Sequence, residues 1–168
     1  RIFSYDDRPG EMKQLVSEDT GRPSNGEVSP DGRWLAYQSR EASVRDEIYV
    51  RPMANPDSGR WQISSGGGAR PLWAPGGGEL IFDARGALMS LQVSRVAPGA
   101  PFAYSTPVPI DLGTGDYDLG FIGRAFDISP DGQRFLLLKI AQSAAGQRQS
   151  LRVITHWRDD LDAALAVK

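Results

Sequence analysis

Ser29-Pro-Asp-Gly32 recurs as Ser129-Pro-Asp-Gly132, and each copy runs straight into an apolar stretch, Trp34-Leu-Ala-Tyr37 after the first and Arg134-Phe-Leu-Leu137 after the second. A worn third copy lies between them, Ala74-Pro-Gly-Gly77, followed by Leu80-Ile-Phe82. The residues of the repeat are those a tight hairpin needs. Proline presets φ and cannot donate to a ladder, which suits the first corner. Aspartate can accept nearby backbone amides, and glycine takes positive φ without steric cost. In the middle copy Gly76 stands where the aspartate is expected, which removes the side-chain hydrogen bond but leaves a turn.

Aligned on Pro30, Pro75 and Pro130, the copies are 45 and 55 residues apart. The first spacing is close to the ~40–45 residues of a four-stranded propeller blade. The excess in the second falls in residues 94–123, which are rich in Pro, Gly and Ala and carry one short strand candidate, 108–112. Strands are expected at 27–29, 34–39, 47–51 and 60–64 in the first repeat. In the second they are expected at 71–74, 79–83, 88–93 and 108–112. In the third, 125–129, 134–140 and 150–155 fit, with no clear fourth. Residues 1–5 and 11–17 read as the last two strands of an earlier blade. Leu161, Ala164 and Leu165 recur at helical spacing, so a short amphipathic C-terminal helix is expected over 157–167.

The fold expected is therefore all-β, a partial β-propeller of about three four-stranded blades with a short C-terminal helix. Its units are the end of a preceding blade (1–25), a blade at 26–67, a blade at 68–113, and a last blade with the helix at 114–168. Nineteen glycines and 12 prolines among 168 residues agree with many short strands joined by turns. Forty per cent hydrophobic residues suffice for a core.

Bulk properties exclude several functions. The net charge is −2 with no basic stripe, so nucleic-acid binding has no electrostatic support. The absence of cysteine removes thiolate nucleophiles, disulfides and cysteine-ligated zinc. No apolar run approaches the roughly 20 residues of a membrane helix, so no membrane insertion by this segment is expected. No signal peptide is visible, and the start at Arg1 suits an excised fragment or processed product.

No catalytic, cofactor-binding or metal-binding residue is assigned. Asp31 and Asp131 are explained by turn chemistry. His156, the one histidine, lies between Thr155 and Trp157 with no Gly-x-Ser-x-Gly elbow in the chain to serve it. Asp116 and Asp118, within Gly115-Asp-Tyr-Asp-Leu-Gly120, offer two carboxylates where a calcium loop needs several more oxygens, so an ordinary loop is expected. Ser65-Gly-Gly-Gly68 and Gly76-Gly-Gly78 lack the Gly-Lys-Ser/Thr of a phosphate loop and read as connections. The acids in Arg158-Asp-Asp-Leu-Asp162 complement the dipole of the C-terminal helix. The recurring Trp34, Tyr37, Tyr49, Trp61, Trp73 and Phe82 read as packing between blades, with one or two left to line a peptide or sugar site.

These stretches, with Asp46-Glu-Ile-Tyr-Val-Arg-Pro52, Gly59-Arg-Trp-Gln-Ile-Ser64 and Val153-Ile-Thr-His-Trp157, resemble the TolB-like, PD40-type (WD40-like) β-propeller repeats. The resemblance covers roughly residues 26–161. It implies the C-terminal portion of a larger bacterial protein, with about twice as many blades in a complete ring. A non-enzymatic module for protein or ligand binding within a sensor or regulatory protein is implied, with a periplasmic or extracytoplasmic location. The alternatives are the non-catalytic propeller of a serine peptidase, or part of a propeller lyase or hydrolase. The expected partners are a protein or peptide, and either the missing blades or a second copy of the chain that completes the ring.

Overall fold

The computed structural model describes residues 1–4, 12–17, 21–41, 44–94, 97, 100–114, 116–120, 123–140 and 150–155. The expected helix over 157–167 lies outside the described residues, as do His156 and the acids of 158–162. Among the described residues, fourteen strands make four antiparallel sheets. β1 (Ile2–Ser4) pairs with β2 (Lys13–Val16). β3 (Ser24–Val28), β4 (Trp34–Ser39), β5 (Glu47–Pro52) and β6 (Trp61–Gln62) form a four-stranded meander. β7 (Ala69–Trp73), β8 (Glu79–Ala84), β9 (Ala87–Gln92) and β10 (Val108–Pro109) form the next.

The fourth sheet holds β11 (Tyr117–Asp118), β12 (Phe126–Ile128), β13 (Arg134–Lys139) and β14 (Ser150–Thr155). Here the sequence reading needs correction. The loop expected there contains a short strand, because Tyr117 and Asp118 pair with Lys139 and Leu138. β12 takes up the same edge of β13 at Leu137, and β14 covers the other edge from Arg134 to Lys139. β11 and β12 thus pair with the same edge of β13 as two separate short strands. The β3–β6 and β7–β10 sheets carry a smaller version of this break. The register slips between Ser24 and Glu27 and again between Ala69 and Leu72. Asn25 (φ 48°) and Arg70 (φ 55°) hold the left-handed conformation inside these two bulges. A two-residue strand beyond a seven-residue interruption has too little alternation to be read as a strand.

The sheets stack face to face through three apolar layers. Leu15 and Val16 pack with Leu35, Tyr37 and Tyr49 between the first pair of sheets. Trp34, Ile48 and Val50 meet Trp73, Leu80, Phe82 and Leu91 in the second layer. Leu72, Ile81 and Leu88 meet Phe126, Phe135 and Leu137 in the third. This explains why every residue of β4 is buried, whereas β13 alternates. β4 has a sheet on each face. β13 buries Phe135 and Leu137 but leaves Leu136 and Leu138 each 45% exposed.

The inner strands of the three four-stranded sheets approach one another. Arg124, between β11 and β12, donates from Nη1 to Glu27 Oε2 at 3.0 Å and to the Pro71 carbonyl at 3.1 Å, so it bridges the three four-stranded sheets. Trp73 Nε1 donates to the Glu27 carbonyl at 3.1 Å. The meander order, the face-to-face stacking and this convergence make the molecule a partial β-propeller, all-β in its described residues except for a single 3-10 turn at Pro56–Ser58.

Candidate functional site

The repeated turns are built as their residues dictate. Gly32 (φ 71°), Gly77 (φ 67°) and Gly132 (φ 70°) take the left-handed position. Gly32 N–H donates to the Ser29 carbonyl and Gly132 N–H to the Ser129 carbonyl, at 2.8 and 2.7 Å. Asp31 Oδ1 accepts the Ser29 hydroxyl at 2.6 Å and the Arg33 N–H at 3.1 Å. Asp131 Oδ1 accepts the Ser129 hydroxyl and the Gln133 N–H. Burial raises the Asp31 pKa, but the Ser29 hydroxyl, the Arg33 N–H and the Arg33 charge together bring it below the usual carboxylate range. For Asp131 the Ser129 hydroxyl is the main cause of a lowered value. Both aspartates are thus held in fixed hydrogen bonds within their own turns.

Gly66 and Gly67 donate their N–H groups to Glu47 Oε1, both at 2.8 Å, while the Ser64 hydroxyl binds the other carboxylate oxygen. This glycine-rich run therefore holds a carboxylate of its own chain at a blade-to-blade connection. Gly77 closes a hairpin on the Ala74 carbonyl. Asp118 Oδ1 accepts the Gly120 N–H at 2.8 Å. Among the described residues no three His, Cys, Asp or Glu side chains come together as a metal site would require. No helix among them is long and apolar enough to cross a membrane.

The aromatics divide into two groups. Tyr37 and Tyr49 stack at 5.8 Å, fully buried against the first sheet pair. Burial pushes the Tyr37 phenol well above its usual value, and its bond to Glu41 adds to this. Trp34, Trp61, Trp73 and Phe82 gather in the second layer. Phe102 joins them, with its ring 5.0 Å from Trp34, 5.9 Å from Trp61 and 6.4 Å from Trp73. Sequence reasoning missed Phe102 because it follows a run of Ala, Pro and Gly; the signal available was a large aromatic in an otherwise small-residue connection.

Above this cluster lies a cavity of about 520 Å³. It opens at the end of the sheets where the Ser-Pro-Asp-Gly turn, the β5–β6 connection and the β9–β10 connection meet. It is lined by Trp34, Trp61, Pro52, Ala100 and Pro101, with the more exposed Arg33, Ala54, Asn55 and Ser58. Trp34 and Trp61 meet nearly at right angles, 87° apart with centroids at 5.7 Å. Trp61 lies directly on Gly59, where a Cβ would come 2.5 Å from the indole. The Arg33 guanidinium sits 5.7 Å over the Trp34 ring. Its size and its apolar walls with a few polar groups are those of a ligand pocket.

No protein-family profile matches the chain, and no curated protein matches it. Among solved structures, the crystal structure of TolB from Acinetobacter baumannii is similar at 19% sequence identity and a TM-score of 0.43. The likeness covers 89% of this chain and 45% of that one. The propeller assignment rests on the four sheets and their convergence.

Proposed function

We propose that this chain is a non-enzymatic β-propeller module that binds a protein or peptide partner within a larger bacterial sensor or regulatory protein. We read its repeats as PD40-type, with blades at 26–67, 68–113 and 114–168 following the end of an earlier one at 1–25. Missing blades or a second copy complete the ring. The observation that carries the binding role is the cavity lined by Trp34, Trp61, Pro52, Ala100 and Pro101. The half-exposed Trp61 indole, backed by the buried Trp34, supplies apolar area at low entropic cost, as binding hot spots do. The acids and glycine loops that would otherwise suggest chemistry are occupied within the chain, Asp31 and Asp131 in turns and Gly66 and Gly67 by Glu47.

Panning a random peptide library against the chain tests this reading. Enrichment of a sequence class is expected on the wild type and not on Ala54→Arg, which places a long side chain from an exposed rim position into the cavity. Equal enrichment on both proteins would remove the cavity as the site.

A further inference from the structure

We infer that the outward face of the last sheet docks a second copy of this chain head to tail, with Leu136 of one copy packing on Val28 of the other; this rests on the incomplete-ring reading above and names what completes it.

The layers between the four-stranded sheets follow one positional rule. The sixth residue after the turn proline of one sheet shares a layer with the second residue before the turn proline of the next. Ala36 lies with Trp73 in the layer between β3–β6 and β7–β10. Ile81 lies with Ile128 in the layer between β7–β10 and the last sheet. A small side chain goes with a large one and two of middle size go together, which keeps each layer close-packed. The series stops at Leu136, the sixth residue after Pro130. It is 45% exposed, as is Leu138, and Ile140 is 51% exposed. These three alternate along β13 and its end, so they form one apolar stripe on the outward face.

The chain carries the matching half of the pair at its other open face. Val28 is the second residue before Pro30 and is 46% exposed. Its cross-strand partner is Leu35, just as Trp73 pairs with Leu80 and Ile128 with Phe135. All three therefore face the preceding sheet. For Val28 that sheet is β1–β2, only two strands wide. It covers Leu35, Tyr37 and Tyr49 but leaves Val28 exposed. A cleft of about 660 Å³ opens at the Ser24 end of the same strand, lined by Arg1, Arg22, Pro23 and Ser24. Leu136 with Val28 is again a pair of middle size, so it continues the series.

Charge favours the same seating. Asp118 and Asp127 are exposed, and their register opposite Leu138 and Leu136 puts both on the outward face. Asp118 sits opposite Leu138 as Ser24 sits opposite Gln38, so it lies at the level of the arginine-lined cleft. Head-to-tail docking brings this acidic edge toward Arg1 and Arg22. Such exposed pairs orient an encounter more than they stabilise it. In a twofold pair both contacts form at once, and each copy closes the open face of the other.

The test is sedimentation velocity on the full chain at micromolar concentration. A dimer is expected. Leu136→Asp and Val28→Asp should each raise the dissociation constant about tenfold or more. Both positions are exposed in the single chain, so the circular dichroism melt of each variant should match that of the wild-type monomer. Mixing the two variants should restore association, because an intact Leu136 then meets an intact Val28. A monomeric wild type, a dimer that persists in either variant, or a mixture as dissociated as each variant alone overturns the inference. A monomer that still enriches peptides, where Ala54→Arg does not, overturns the pairing and leaves the binding role standing.

Discussion

The side-chain oxygen of Gln38 accepts the backbone N–H of Arg70 at 2.9 Å and the side-chain amide of Asn25 at 2.8 Å. Gln38 lies on β4, Arg70 on β7 of the next sheet, and Asn25 and Arg70 are the two bulge residues with positive φ. One buried amide therefore ties the irregular inner strands of two neighbouring blades together. Replacing it by a leucine of similar size leaves the Arg70 N–H without that acceptor. Gln38→Leu should lower stability by about 1–3 kcal/mol, measured by urea unfolding. An unchanged midpoint would mean that the inter-blade bond contributes nothing net.

The worn middle turn offers a gain. In the other two copies an aspartate accepts the N–H two residues on, from Arg33 and from Gln133. Gly76 holds that place in the middle copy, and a Cβ there meets nothing within 4 Å. Gly76→Asp should raise stability by about 0.5–1 kcal/mol, through the restored bond and a less flexible unfolded chain. A lower melting temperature would show that the middle turn cannot adopt the geometry of the other two.

Gly132→Val tests the opposite sign. At φ 70° a β-branched side chain is strained. A loss on the order of 1 kcal/mol or more is expected, read as a fall in melting temperature. No change would show that the turn relaxes to negative φ without cost.

Asp131 gives a pH signature. Its folded pKa lies below the ordinary 3.8, chiefly through the Ser129 hydroxyl. A depressed acid binds fewer protons folded than unfolded. Its stabilising effect is therefore complete above the ordinary value and is lost as pH falls through the folded one. The stability gap between wild type and Asp131→Ala should be constant near neutrality and shrink below about pH 4. A gap that stays constant into strong acid would contradict the bond.

Most of the sheet architecture was legible in the sequence because each blade repeats one local device. A proline corner, a glycine at positive φ and an apolar run follow one another within ten residues, and β4, β8 and β13 begin four residues after Pro30, Pro75 and Pro130. The inner strands were less legible. Their bulges at Asn25 and Arg70 break the period-2 pattern, and the third blade widens the break until Tyr117 and Asp118 stand apart. The cavity was hidden for another reason. Trp34 and Trp61 were visible as aromatics, but part of the lining comes from Ala100 and Pro101, in a connection whose next residue, Phe102, packs in the indole cluster. Sequence spacing carries no information about such a long-range contact.

Hydrogen exchange with a panned peptide bound tests the binding claim most directly, because the two ends of the sheets carry different loops. Protection is expected at residues 32–34 and 54–61, with residues 21–23 and 66–70 at the opposite end unchanged. Protection confined to 21–23 and 66–70, with the Trp61 region exchanging as in the free chain, would contradict it.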